Sequence, residues 1–396
     1  MIGRAGILAV LVLSLVAAVP RAQSVYNLPF LGSRAQSGDV RAISLGGNVV
    51  AVADTLGIMQ LNPAMQAYAT RVTLAVGVYG GIDMNEDAGF SDREGAFRFS
   101  SFSFAFRAFS KRVTLGLGYR SKFEATGGFT VPGTTSRGNE YVKAYTREGG
   151  LGTFPITAAF NLGRFKVGGF YALERGRITS KWDDDFTDTF LLDSFSERKH
   201  VVSGHGWGAG FDVSPLRRVV LSGAIEGEVT YDDKVTETYT NSVHNTEYTV
   251  AMLLPARLSG SIRIGLGLST RIYAAGAYSD FTKFTGFDFP EERLREEWMF
   301  SGALEKDNIV GRSPLRVSGS LEQLPYTLPD GETIQRFAAT VGTGWRLSGG
   351  RGKLDMALQF SQTGTVEKNT LENRSLRLYI AIAGSEKWGH ERGGGR

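Results

Sequence analysis

Apolar side chains alternate with polar or very small ones, residue by residue, through most of the chain between positions 71 and 384. In the segment 113–120, Val113, Leu115, Leu117 and Tyr119 alternate with Thr, Gly, Gly and Arg. Because successive side chains of a strand point to opposite faces, this alternation predicts β-strands with one apolar face. We count about fourteen such segments, and helical periodicity is almost absent from them.

The second face of these strands favours a membrane barrel over a soluble sandwich. Solvated faces favour Lys, Glu and Thr, whereas here Gly, Ala and Ser are mixed with single charges such as Arg120, Asp355 and Arg377. This composition suits the crowded interior of a barrel whose outside contacts outer-membrane lipid. We therefore expect an all-β, antiparallel, transmembrane β-barrel of about 14 strands over residues 71–384. The alternative is a large periplasmic β-protein, because alternation within one segment is a weak signal.

The first 22 residues have the pattern of a secretory signal peptide. Arg4 precedes the apolar run Ile7–Val19, and Ala22 provides a small residue for cleavage, with Ala18 as the alternative. The run is too short for a membrane helix, which needs about 20 apolar residues. We expect a multi-pass protein in the outer membrane of a Gram-negative-type cell, with residues 385–396 as a carboxy-terminal tail.

Composition excludes several classes of function. The chain has no Cys and four His, and His200 and His205 would lie on opposite faces of a strand, which suits a shared metal poorly. The acidic run Asp183–Asp185 has the character of a solvated extracellular loop. Neither a phosphate-binding loop nor a Ser nucleophile elbow is present, and no basic run exceeds two residues. We predict no enzyme activity, no cofactor, no metal and no nucleic-acid partner.

Residues 23–70 break the strand pattern. Gly46-Gly47 permits a tight bend, and Pro63 blocks a regular ladder and pushes Asn62 out of the helical region. Some forty irregular and fairly apolar residues must be buried, and the barrel lumen is the available place. We expect a lumenal hatch in which the Asn62 side chain satisfies backbone groups that a plug would otherwise leave unpaired.

A spaced set of hatch residues resembles the FadL-type outer-membrane transporters of long-chain fatty acids and other hydrophobic compounds, including their PorV-like relatives. The set comprises Gly46, Gly47, Ala51, Ala53, Asp54, Asn62, Pro63 and Ala64. The resemblance extends to the carboxy-terminal hairpins between 324 and 382. It implies a hatch plugging a fourteen-stranded barrel, a hydrophobic small molecule as ligand, and ligand-binding or gating roles for Gly46, Gly47, Asp54, Asn62, Pro63 and Ala64.

An aromatic segment near the start of the barrel region changes its register. Phe97 and Phe99 occupy odd positions, whereas Phe102 occupies an even one, and the switch falls across Ser100-Ser101. Either a β-bulge resets the register, or both faces are apolar and the rings point into the lumen, as an apolar ligand pocket would need. In the second case Phe97, Phe99 and Phe102 line the ligand path.

Two functions follow from these expectations. The first is passive uptake of hydrophobic small molecules, such as long-chain fatty acids, through a plugged barrel that we expect to be a monomer. The alternative is a non-transporting, PorV-like barrel whose loops bind secretion-system proteins as a secretion or assembly partner. A continuous apolar pocket ending at the hatch would favour transport, and a sealed lumen with large ordered loops would favour the partner role.

Overall fold

Fourteen antiparallel strands form one sheet in the computed structural model. It describes residues 25–36, 38–54, 61–87, 91–108, 112–135, 138–186, 193–240, 245–287, 289–310, 313–347 and 351–386, so the predicted signal peptide and the tail beyond 386 lie outside the described residues. The strands are β1 Val72–Asp87, β2 Ser91–Ala108, β3 Val113–Glu124 with Gly127–Thr134, β4 Glu140–Leu162, β5 Phe165–Phe186, β6 Ser194–Leu216, β7 Val219–Glu226 with Val229–Tyr239, β8 Thr246–Leu254 with Arg257–Leu266, β9 Thr270–Asp280, β10 Glu296–Val310, β11 Ser313–Thr327, β12 Thr333–Leu347, β13 Gly352–Thr363 and β14 Leu371–Glu386.

The sheet closes on itself. Strand β14 pairs with β1 from Leu371 opposite Asp87 to Glu386 opposite Val72. Strands β3, β7 and β8 are each interrupted by two residues, and both parts of each pair with the same neighbouring strand. The pairing of β14 with β1 completes the circuit of strands, which confirms the predicted antiparallel barrel of 14 strands.

The two faces of the wall differ as the alternation predicts. Outward side chains are apolar, with Ile156 and Phe300 exposed to 67% and 61%, whereas inward Glu305 and Arg316 are buried and ion-paired. Tyr171 and Trp207 also point outward, as aromatic residues do at membrane interfaces. A closed barrel with an apolar outside and a charged inside is the architecture of an outer-membrane protein.

The barrel extends beyond its apolar band at one end. Short turns at 163–164 and 217–218 mark the periplasmic end, and β5 runs from there through Phe186. Asp183–Asp185, expected in a loop, therefore lie within β5, and Lys143 on β4 contacts Asp184 at 3.6 Å. The expectation was wrong because the backbone ladder continues in water, where charged side chains are solvated.

The described parts of the amino-terminal segment, residues 25–36, 38–54 and 61–69, form an irregular plug in the lumen. It contains two short 3-10 helices, Val25–Asn27 and Pro63–Tyr68, the helix α1 Val40–Ile43 and a two-residue strand Ser33–Arg34. The Asn48 side chain donates to the Met299 carbonyl at 3.1 Å, which ties the segment to β10. A second short helix, α2 Val366–Asn369, lies between β13 and β14. Among the described residues, no helix is long and apolar enough to cross a bilayer.

Candidate functional site

Asn62 connects two parts of the hatch to the barrel wall. Its Nδ2 atom donates to the Val50 carbonyl at 3.2 Å and to the Phe211 carbonyl of β6 at 3.1 Å. Its Oδ1 atom accepts from the Ala64 backbone N–H at 3.0 Å and caps the helix Pro63–Tyr68. The fully buried side chain therefore satisfies backbone groups that would otherwise remain unpaired, as expected from the sequence.

Glycines in the wall make room for the Asn62-Pro63-Ala64 segment. A Cβ atom on Gly168 of β5 would lie 2.6 Å from the Pro63 carbonyl carbon, and one on Gly210 of β6 would overlap the Asn62 amide. The inner face of β6 therefore lacks side chains where the hatch contacts it. This contact explains why the last member of the alternating glycine series 204–210 is a glycine, because the hatch comes very close to the strand backbone there.

Gly46 and Gly47 form the turn that follows α1. Their φ angles are +106° and +84°, in a region that favours glycine, and a Cβ on Gly46 would lie 2.6 Å from the Ser301 Cβ. At these two glycines the hatch backbone changes direction in a tight turn that packs against β10.

Asp54 belongs to an ion-paired network near the periplasmic end. Its carboxylate contacts Lys353 of β13 and lies 3.5 Å from the Arg41 guanidinium. Arg41 also binds Glu305 of β10 at 2.9 Å, and Glu305 binds Arg316 of β11 at 3.0 Å. Two hatch residues thus complete a charge network contributed by three barrel strands.

Asp39 lies at the start of α1, close to this network. Its Oδ1 accepts from the Arg41 N–H at 2.9 Å, whereas its enclosed Oδ2 atom has no hydrogen-bond partner among the described residues. Burial raises the pKa of the Asp39 carboxyl; Lys353 lowers it, and Asp355 and Asp54 raise it. The acid at the start of α1 is therefore held where its charged form is disfavoured.

The aromatic segment of β2 contains the predicted bulge. Gly77 of β1 pairs with Ser101, and Val78 pairs with Phe99, so Ser100 is the extra residue. Phe97 and Phe99 point outward, with 36% and 47% exposure, and Phe102 follows on the same face, half-buried. The interpretation that placed these rings inside the lumen is therefore wrong, because the bulge returns all three to the outer face.

Strand β3 leaves the wall just beyond this bulge. Its pairing with β2 ends at Ser101 opposite Arg120. Among the described residues, positions 91–99 of β2 pair only with β1. Residues 122–126 of β3 are buried on both faces, and Phe123 and Glu124 pair with the hatch strand Ser33–Arg34. The result is a lateral opening in the barrel wall.

An open cavity of about 900 Å³ occupies this opening. Its outer rim is aromatic, with Phe99 stacked on Tyr119 at 5.7 Å between ring centroids and Tyr119 5.0 Å from Phe154. Its inner side includes Phe123, Leu151 and Val202. Charged side chains also line the cavity, namely Arg98, Glu124, Arg175 and Arg177. The opening therefore presents apolar groups on both sides of the wall.

The same inner residues belong to an apolar cluster in the lumen, the outer core. Its buried members are Phe30, Leu31, Phe123, Ala125, Leu151, Ile178, Val202, Val229, Tyr231, Met252, Leu254, Phe281, Phe284 and Leu294. The ring centroid of Phe30 in the hatch lies 4.0 Å from that of Phe284, which belongs to the segment that follows β9. Arg147 donates to the carbonyls of Leu28 and Phe30 and fixes this part of the hatch.

A layer of buried ion pairs lies on the periplasmic side of the outer core. Lys122 binds Glu174 at 2.8 Å, and Arg34 of the hatch binds Glu297 at 3.0 Å. The cavity within this layer is only about 50 Å³, room for very little beyond ordered water. The lumen thus changes from apolar to ion-paired along its axis.

Three solved structures share this architecture. They are a Pseudomonas aeruginosa FadL homologue (TM-score 0.59, 12% identity, 93% of this chain and 99% of that chain), the CymD monoaromatic hydrocarbon channel (0.57, 13%, 89% and 98%) and the P. putida toluene transporter TodX (0.53, 11%, 87% and 99%). The chain has the FadL-type fold. Comparison with family models and with curated protein sequences finds no match.

Sequence reasoning missed two features of this FadL-type barrel. The outer core receives Phe281 and Phe284 from the connection after β9, where several Phe residues in a short polar stretch were the available signal. The lateral opening is bordered by Gly149 and Gly150, whose φ angles are +130° and +158°. A Cβ on Gly150 would overlap the Phe123 carbonyl, so this glycine accommodates the inward bend of β3.

Proposed function

We propose that this FadL-type barrel mediates passive passage of hydrophobic small molecules across the outer leaflet, through the lateral opening between β2 and β3. The ligand binds in the outer core after displacing aromatic side chains such as Phe30 and Phe284. It then leaves through the wall into membrane lipid. No energy source is needed, because an apolar compound moves from water to an apolar environment.

One observation carries this proposal. Phe123, Leu151 and Val202 line both the outer core and the lateral opening, so one set of apolar side chains connects the lumen with the outer surface. The buried members of the outer core are all hydrophobic, as a binding site for apolar ligands requires. Phe97 and Phe99 take part on the outer side of this path.

The route along the barrel axis is less favourable. An apolar molecule that continued towards the periplasm would have to separate ion pairs such as Lys122–Glu174 and Arg34–Glu297. Leaving buried charges without their partners costs several kcal/mol. The lateral route avoids this cost, and the ion-paired layer keeps water and ions from crossing.

We assign the hatch residues a gating role that acts through β3. Ser33–Arg34 pairs with Phe123–Glu124, so movement of the hatch would alter the inward bend that keeps the wall open. Gly46, Gly47, Asp54 and the Asn62-Pro63-Ala64 segment anchor the rest of the hatch to the wall. The known channels with this fold support the ligand class, since two of them are described as a monoaromatic hydrocarbon channel and a toluene transporter.

The test is to fill the lateral opening without touching the hatch. A Cβ on Gly152 of β4 would lie 2.5 Å from the Tyr119 ring, so Gly152→Leu drives bulk into the opening. Gly302→Leu on β10 is the matched control, because a Cβ there meets no atom within 4 Å. Uptake of toluene and of oleate is measured in cells that lack other channels of this fold.

We expect Gly152→Leu to lower uptake of at least one compound about tenfold or more and Gly302→Leu to leave it unchanged. Both variants must show equal heat-modifiable mobility in detergent gels, which reports a folded barrel. Equal uptake by a folded Gly152→Leu variant would contradict the lateral path. If wild-type protein takes up neither compound, the role of a secretion or assembly partner becomes the better account.

A further inference from the structure

A second, polar cavity lies at the periplasmic mouth of the lumen, well separated from the lateral opening. Its volume is about 710 Å³, and the hatch residues Arg41, Ala53 and Asp54 form part of its lining. The rest comes from β8 to β13, near the periplasmic ends of these strands. The proposed passage of hydrophobic compounds makes no use of this cavity.

The lining of this cavity carries an excess of positive charge. Six cations line it against three carboxylates: Arg41, Arg263, Arg271, Arg316, Arg346 and Lys353 against Asp54, Glu305 and Asp307. A fourth carboxylate, Asp355, lies beside the lining and binds Arg316 at 3.0 Å. The hatch residues 55–60, which follow Asp54, are uncharged in the sequence and cannot balance the excess.

The ion pairs show which cations remain. Arg271 binds Asp307 at 2.8 Å, Arg41 binds Glu305, and Lys353 contacts both Asp54 and Asp355. Arg263 of β8 and Arg346 of β12 line the same cavity and have no carboxylate partner among the described residues. Four acids are thus occupied by four cations, and two guanidinium groups are left facing the cavity. Asp39, the remaining acid near Lys353, is held where its charged form is disfavoured and offsets little of this excess.

We infer that this periplasmic cavity binds an anion of carboxylate or phosphate chemistry through Arg263 and Arg346. A guanidinium presents paired N–H donors that match two oxygens of such a group, and it stays charged at every physiological pH. The other cations of the lining are ion-paired, so Arg263, which is half-buried, and Arg346, which is exposed, are the two whose charge is available to an anion. The inference does not depend on passage through the wall, because it concerns other residues at the opposite end of the lumen.

The experiment uses the full-length mature protein in detergent and isothermal titration calorimetry at constant ionic strength. The probes are inorganic phosphate, acetate and hexanoate. The test variant is Arg263→Gln/Arg346→Gln, which leaves no carboxylate without a partner. The matched control is Arg164→Gln/Arg217→Gln, which removes the same charge from exposed positions in periplasmic turns outside the cavity.

We expect saturable binding of phosphate and acetate by wild-type protein, at least tenfold weaker binding by the test variant, and unchanged binding by the control. If hexanoate and acetate bind with equal affinity, the site takes free periplasmic anions. If hexanoate binds at least tenfold more tightly than acetate, the site takes hydrophobic compounds with an acidic head group. Either result supports the inference. Absence of saturable binding by the wild type, unchanged binding by the test variant, or equal loss in both variants would overturn it. Heat-modifiable mobility verifies that each variant is folded.

Discussion

Individual residues of the hatch act mainly by completing contacts that the wall has prepared. Asn62 is the clearest case, because one side chain caps a helix, links it to Val50 and binds the carbonyl of Phe211. The glycines opposite it are equally specific, since a single methyl group on Gly168 would meet the hatch backbone. Such close complementarity makes the hatch sensitive to changes that leave the barrel itself untouched.

Replacing Asn62 with Ala should loosen the hatch and spare the barrel. The change removes the side-chain donor from the Val50 carbonyl and the side-chain acceptor from the Ala64 N–H, at a cost of roughly 1–3 kcal/mol. Hydrogen exchange should show faster exchange over residues 45–68 and unchanged protection in the strands. Asn161→Ala serves as the control, because the Asn161 side chain caps only an exposed turn at Gly163. Equal protection of the hatch in Asn62→Ala and wild type would remove this residue from the gating role.

Adjacent glycines in β5 provide an internal comparison. Gly168→Ala should displace the hatch, because its Cβ would lie 2.6 Å from Pro63 backbone that cannot yield cheaply. Gly169→Ala should be tolerated, since the nearest atom is the Gly208 carbonyl oxygen at 3.4 Å. Planar-bilayer recordings should then show ion leakage for the first variant only. If neither variant conducts ions, the close contact between Gly168 and the hatch is refuted.

At the scale of the element, helix α1 carries a pH dependence. The raised pKa of Asp39 means that its protonated form favours the docked hatch, so this contribution is present in acid and is lost as pH rises from the ordinary value of about 4 to above the raised pKa. Asp39→Asn keeps a capping side chain and removes the charge.

The Asp39→Asn hatch should therefore resist limited proteolysis better than the wild-type hatch at pH 7. The difference should disappear below pH of about 4, where both side chains are neutral. A wild-type hatch that is equally or more resistant at pH 7 would show that Asp39 is stabilised in its charged form instead.

Elements that follow from local pattern were predictable, and those that follow from the closed barrel were not. Alternation identified all fourteen strands, because each must bury one face in lipid. The bulge at Ser100 was visible in the sequence because the phenylalanines change from odd to even positions there. That change alone could not distinguish a bulge from a strand whose aromatic rings point into the lumen. The bend of β3 after Arg120 and the pairing of Arg34 with Glu297 depend on how distant strands surround the hatch, which no local pattern encodes.

For the whole molecule, the barrel should persist without its plug. The strands pair with one another around the complete circuit and separate only beyond Ser101 and Arg120, whereas the hatch supplies charges and apolar side chains to the lumen. Deleting residues 25–65 should give protein that still inserts and shows heat-modifiable mobility but conducts ions in planar bilayers. The carboxylates released from Arg34 and Arg41 would then be solvated. A deletion variant that inserts without conducting would mean that the lumen closes by other means.

The seam between β1 and β14 also sets the order in which this molecule can come into being. The first strand finds its second neighbour only in the last described strand, roughly three hundred residues later in synthesis. Contacts of such long range are slow to form, and until then both edges stay open to wrong partners. A chain shortened by its final strand would therefore remain an unfinished sheet, and the plug would have no closed wall to surround it.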